Sequence, residues 1–393
     1  MPKTDLMQGF PASPETQVTL ANWRTAPFSR WAFHHVREIV ASADIPNDPA
    51  AVSDLRQAPG GLDGLTLEGG LSVADFLART DTDGIVFLRR GALVFETYAN
   101  GMDAFTPHIL MSVSKSLLGL IAGILVEDGI LDLDAPVTSY VPEVAGTAYK
   151  GATVRHLLDM RAGVAFDEDY LATSGPIIEY RKAQNWNPLE PGELPSDLRS
   201  FFATMTDEDG AHEGSFHYVS PNTDLLGWVI ERASGRRYAD LVSERLWRPM
   251  GAERSAYITV DRLGAPRCAG GFCATVRDLA RVGQLLVDGG RGIVPAGWID
   301  DLIAGGDAAA WAAGDFAELF QGAPMRYRSK WYVEDGPSPL LFGYGVHGQN
   351  LFVDRMNEVV VAKVSSQALP VDEERNALTI RSVKAIIAAL AAG

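Results

Sequence analysis

Residues 117–126, LLGLIAGILV, are the longest strongly apolar run in the chain. Ten residues are too few to cross a bilayer, which takes about 20. A helix of this composition is apolar on most of its faces and has to be enclosed by other elements. The fold must therefore be wrapped around it. At 393 residues the chain is long enough for about two or three domain-sized units and for a core that needs no disulfide.

Directly before that run stands Ser112-Val113-Ser114-Lys115, the one S-x-x-K in the chain. Positions three apart share a helix face, so Ser Oγ and Lys Nζ can meet in the first turn. The apolar residues that follow imply a desolvated site, and desolvation lowers a lysine pKa. A neutral amine can remove a serine proton. Backbone N–H groups at the helix start can serve a developing oxyanion. The same spacing also fits a duller arrangement, with Ser112 capping the helix and Lys115 snorkelling to solvent.

The stretch GSFHYVSPNTDLLGW, 214–228, places Tyr218 just before a helix, beside Ser220 and Asn222. A phenol there can pass a proton between an amine and a leaving group; taken alone, the stretch favours an aromatic anchor for the loop. GYGVHG, 343–348, matches G-x-G-x-x-G, yet strand-like sequence follows where a dinucleotide site needs a helix. Glycine there lets a substrate approach a strand closely. His347 could act as a base, but no G-x-S-x-G elbow exists to partner it. Tyr170, Trp186 and Trp331 lie in stretches that read as loops, where aromatics form pocket walls or anchor the loop.

Other classes are disfavoured. A net charge of −16 opposes nucleic acid, whose phosphates call for concentrated Lys and Arg. Cys268 and Cys273 form no C-x-x-C, and no H-E-x-x-H or Walker loop occurs, so no metal or cofactor is implied. The start, MPKTDLMQGFPASPETQ, lacks a basic segment followed by an apolar one, so the expectation is a cytoplasmic protein that avoids membranes.

The residues 84–99 read as a hairpin around Arg90-Gly91. Helical patterns ended by glycine dominate 130–265. LLFGYGV, NLFVD and EVVVAKVSS read as strands, and ALTIRSVKAIIAALAA as a closing helix. Strands at both ends with helices between predict an α/β (α+β) fold. An antiparallel sheet is built from both termini and flanked by helices, with a mainly helical lobe inserted. The expected division is 1–111 with 267–393 for the sheet lobe and 112–266 for the helical lobe, the site lying between them.

In order along the chain, MSVSKSLLGLIAGILVEDGILDLDAPVTSYVPE, ATVRHLLDMRAGV, FHYVSPNTDLLGWVIERASG and GGFCATVRDLARVGQLLVDGG resemble stretches of the penicillin-recognising serine hydrolases. That family includes class C β-lactamases, D,D-peptidases and related esterases. RWAFHHVREIV, DEDY, YVSPNTD and HGQNLFVD further resemble the 6-aminohexanoate-dimer hydrolases, which cleave nylon by-product oligomers. The resemblance implies Ser112 as nucleophile, Lys115 as its base and Tyr218 as proton donor to the leaving amine. It implies an oxyanion hole of the Ser112 and Val346 N–H groups; a shifted register would use Gln349. Tyr170 would contact the scissile amide nitrogen, and Trp186 would line the pocket with Ser220, Asn222, Trp331, Tyr344 and His347. The K-T-G of penicillin-binding enzymes is absent. Arg181 stands where the amide-cleaving members carry an acid, with Glu179 nearby. The expected function is a serine hydrolase of small linear amides or short-chain esters, a homodimer being admissible. The alternatives are a β-lactamase or D,D-peptidase and a catalytically silent binding module.

Overall fold

The computed structural model describes residues 5–62, 64–320 and 322–392. In chain order its strands are β1 (Ser42–Ile45), β2 (Arg56–Gln57), β3 (Thr82–Arg89), β4 (Ala92–Tyr98), β5 (His108–Ile109), β6 (Ala256–Thr259), β7 (Phe272–Ala274), β8 (Met325–Arg328), β9 (Trp331–Glu334), β10 (Leu340–Gly345), β11 (Gln349–Asp354) and β12 (Val359–Ser365). Eight form one sheet in the order β2-β4-β3-β12-β11-β10-β9-β8. Its ladders are antiparallel except at one edge, where β2 runs parallel to β4. The expected hairpin is β3–β4, turning at Arg90 and Gly91, both at positive φ. β8 and β9 were not legible as strands: YRSKWYVE is short and charge-interrupted, and it turns through Ser329 and Lys330, both at positive φ.

The sheet is covered on both faces, which is why VVVA, 359–362, reads as an apolar run rather than an alternation. Val360, Ala362 and Val364 join the core around the Val113–Glu127 helix. Val359 and Val361 join Val383 and Ile386 of the C-terminal helix, Glu373–Ala392. Residues Val113 to Leu125 are all buried, so the apolar run of the sequence becomes the axis of the molecule. Two small residues let it be approached so closely. A Cβ on Gly119 would sit 2.2 Å from the Ser329 carbonyl oxygen, and one on Gly123 would enter the Trp298 ring.

The remaining four strands form a small sheet, β1-β6-β7-β5. It draws on the chain before the central helix, on 256–259 and on 272–274, so it joins segments that the sequence reading divided between lobes. It also fixes the start of the central helix. The Leu110 N–H donates to the Phe272 carbonyl at 2.8 Å, and the Phe272 N–H donates to Ser114 Oγ at 3.1 Å. Among the described residues no helix is long and apolar enough to cross a membrane.

Candidate active site

Ser112 precedes the first turn of the central helix, and its hydroxyl makes no capping bond. Lys115, one turn on, is 2% exposed and does not snorkel. Its Nζ lies 2.8 Å from Ser112 Oγ and donates to the Ala269 carbonyl at 2.8 Å. Burial lowers its pKa to about 7; Glu168 opposes that shift, and Arg267 adds to it. The capping arrangement is thereby excluded in favour of an amine held dry against a hydroxyl.

The third group is Tyr218. Its hydroxyl is close enough for the Ser112 side chain to act on its pKa, against burial, and its ring centroid lies 4.8 Å from Lys115 Nζ. Burial, reinforced by Glu168, pushes the phenol well above its ordinary pKa. The backbone in front of the Ser220–Ser234 helix is fixed by Asp315, which accepts from the Tyr218 N–H at 2.8 Å and bonds His217 Nδ1 at 2.8 Å. Hydrogen bonding to Asp315 raises the His217 pKa.

A buried network sets where the lysine sits. Asp224, inside the Ser220–Ser234 helix, accepts from the Ala269 N–H at 2.8 Å, the Tyr180 hydroxyl at 2.5 Å and Arg267 at 2.5 Å. Ala269 is thus held from one side by Asp224 and offers its carbonyl to Lys115 on the other. A second carboxylate organises the opposite wall. Glu168 accepts from the Ser220 N–H at 2.6 Å, from the Ser220 hydroxyl and from the Tyr170 hydroxyl at 3.0 Å. Glu168, Asp224, Arg267 and Ala269 were missed by sequence reasoning. Glu168 alone had a local signal, its place two residues before Tyr170.

The third wall is the end of β10. Its ladder with β9 runs only from Leu340 to Phe342, which leaves Gly343–Gly345 free to lie against the central helix. A Cβ on Gly345 would stand 3.0 Å from the Ser112 nitrogen and 2.8 Å from the Leu110 oxygen. Glycine is required here by contact with the nucleophile's own backbone. Val346 and His347 follow in the cavity wall. His347 directs Nδ1 to the Gln367 carbonyl at 2.7 Å, and burial lowers its pKa to about 4. Gln349 is fully buried, its amide donating to the carbonyls of His347 and Ser365 at 3.2 and 2.7 Å.

These walls enclose a cavity of about 670 Å³ that reaches Ser112, Tyr170, Trp186, Ser220, Val346 and His347. Trp186 is locked in place, its indole N–H donating to Thr259 Oγ1 at 3.1 Å and its ring packed edge-on to Trp23. Three expected pocket residues are not brought there. Trp331 is fully buried on β9, with its indole N–H bonded to the Ser116 carbonyl at 3.2 Å. Tyr344 faces the other side of the sheet, where its hydroxyl accepts from Asn376 at 2.5 Å. Asn222 is fully buried in its helix, with neither side-chain polar atom hydrogen-bonded.

The arrangement matches known proteins over most of the chain. The family described as Beta-lactamase matches residues 73–385. The 6-aminohexanoate-dimer hydrolase of Paenarthrobacter ureafaciens is 35% identical over 362 residues, covering 91% of this chain and 90% of that one. Esterase EstB of Burkholderia gladioli is 27% identical over 181 residues, 45% of each chain. A solved structure from Bacillus anthracis, provisionally assigned as a 6-aminohexanoate-dimer hydrolase, superposes with a TM-score of 0.86 at 26% identity, covering 95% of this chain and 98% of that one. This chain belongs to the beta-lactamase family, and with it to the serine hydrolases.

Proposed function

We propose that the protein cleaves small esters and linear amides through an acyl-enzyme on Ser112. One observation carries the reading: burial drives two groups that touch the same hydroxyl in opposite directions. Lys115 is lowered to about 7, while Tyr218 is raised. Near neutral pH the amine is thus substantially neutral and can accept a proton, whereas the phenol keeps its own and can donate one.

Lys115 Nζ takes the Ser112 proton as Oγ attacks the carbonyl carbon. The tetrahedral oxyanion forms between the N–H groups of Ser112 and Val346, where the free end of β10 meets the helix start. Gln349, closed into its hairpin, is the weaker candidate for that donor. Tyr218 gives its proton to the departing alcohol or amine and is reprotonated through Lys115; water then releases the acyl group along the reverse path. Tyr170 lies against the leaving nitrogen and Trp186 against the chain of the substrate, in a cleft between a sheet lobe (1–111 with 267–393) and a helical lobe (112–266) that β6 ties together through the small sheet.

The P. ureafaciens relative makes the 6-aminohexanoate dimer, and with it nylon oligomers, a substrate to be tested. Short-chain esters ask less of the site, because they need no grip on a terminal ammonium group. Absence of K-T-G argues against a β-lactamase or cell-wall peptidase. Two unbridged buried cysteines suit a reducing, cytoplasmic setting. Labelling with a fluorophosphonate tests the reading against a silent binding module: modification of Ser112 with loss of p-nitrophenyl butyrate turnover is expected. An unlabelled Ser112 would refute it.

A further inference from the structure

We propose that the cavity at Ser112 selects esters or amides carrying a carboxylate, held by Arg24 and Arg181. The proposal rests on the hydrolase reading and adds the substrate's charge. Both guanidinium groups line the same cavity as Ser112, and neither forms an ion pair among the described residues. Arg24 donates to Asn187 Oδ1 at 2.5 Å, while its Nε is buried without a partner. Arg181, 9% exposed, donates to the Tyr170 carbonyl at 3.0 Å.

Two acids near this wall are ion-paired and Glu168 is hydrogen-bonded; Glu190, which is exposed, also lines the cavity. Glu168 is occupied by Ser220 and Tyr170. Glu179 pairs with Lys182 at 3.1 Å, and Asp224 with Arg267 at 2.5 Å. Burial lowers the Arg24 pKa to about 9, and the neighbouring Arg181 and Arg267 add to the shift, so like charges crowd Arg24; Glu168 and Asp169 act on Arg181 in the opposite sense without an ion pair. In a chain of net charge −16, such a concentration is unusual. The neighbouring cavity of about 530 Å³, which shares Glu168 and Tyr170, is lined instead by Asp167, Asp169, Asp209 and Asp315. A substrate anion is repelled there and attracted to the arginine side, where planar donors suit a carboxylate.

Two isosteric pairs test this. Mono-p-nitrophenyl adipate and its methyl ester carry or lack the charge on the acyl side. 6-(Butyryloxy)hexanoate and its methyl ester carry or lack it on the alcohol side. In one pair the charged member should show a kcat/KM about tenfold higher, an advantage removed by Arg24→Gln with Arg181→Gln and restored in part by the Lys variants, which return the charge without the planar fork. The pair that responds identifies the end that is held. Preference for the neutral member in both pairs overturns the proposal, as does an unchanged ratio in the Gln variants. Calorimetric binding of adipate to Ser112→Ala separates this from the hydrolase reading. It should weaken about tenfold when the two Gln substitutions are added; equal binding overturns the anion site. Ester turnover persisting in Ser112→Ala would sink the nucleophile and leave the anion site standing.

Discussion

Two lysines of this protein are chemically alike and differ in where they are housed. Lys115 and Lys363 are both buried, and burial lowers both to about 7. Both meet a serine hydroxyl, Lys115 that of Ser112 and Lys363 that of Ser365. Yet Ser365 is fully buried in β12, whereas Ser112 opens on a 670 Å³ cavity at a helix start. Asp83 and Asp81 oppose the shift of Lys363; Lys115 has a phenol over it and a fixed carbonyl beneath. A depressed lysine beside a hydroxyl is therefore insufficient. The pair becomes a candidate nucleophile only where a carbonyl can reach it and donors await the oxyanion.

The largest expected contrast lies in the serines. Ser112→Ala should reduce kcat for p-nitrophenyl butyrate by about 10⁴-fold or more, while Ser365→Ala should leave it within about twofold and lower stability by about 1 kcal/mol. Comparable losses in both would erase the distinction. Next come the lysines. Lys115→Ala should cost about 10³-fold in kcat; Lys363→Met, in a sealed site, should leave the rate near wild type, as steady-state assays of both can show.

Smaller, and sharper, is the effect of Tyr218→Phe. If the phenol protonates the leaving group, an amide should lose about 100-fold. A p-nitrophenyl ester, whose leaving group departs as an anion, should lose far less, and equal losses would assign Tyr218 to positioning alone. The pH profile gives the finest test. Lys115 must be neutral to act, so kcat/KM should rise with pH through the lysine's value near 7 and level off above it. On the acid side it should fall about tenfold per pH unit. Lys363→Met should not move that limb.

What the sequence disclosed follows from distance along the chain. Ser112 and Lys115 are one helical turn apart, so a local pattern could pair them; Tyr218 stands at the mouth of a helix marked by Pro221 and Gly235, but only the family resemblance brought it to them. The sheet's origin in both ends was visible in the β-branched runs. Which way a side chain faces was less so. Tyr344 was taken for a pocket residue, although the glycines on either side, pressed against Ser116 and Ser112, put it on the opposite face by the two-residue period of a strand. Trp331 was read as a loop aromatic because β9 is short. Ala269 meets Lys115 across 154 residues, and Arg267 meets Asp224 across 43. Contacts of that kind leave no periodic trace, and only the folded chain reveals that the lysine is aimed by an aspartate it does not touch.

The activity of Ser112 turns on the protonation state of one amine. Its titration can be followed by NMR of ¹⁵Nζ-labelled lysine, with Lys115→Met, Lys330→Met and Lys363→Met proteins assigning the signals of the three buried lysines whose pKa burial lowers. A Lys115 signal titrating near 7 is the result predicted. Titration near the ordinary lysine value of 10.5 would leave a charged ammonium beside Ser112 at neutral pH and contradict its role as the base.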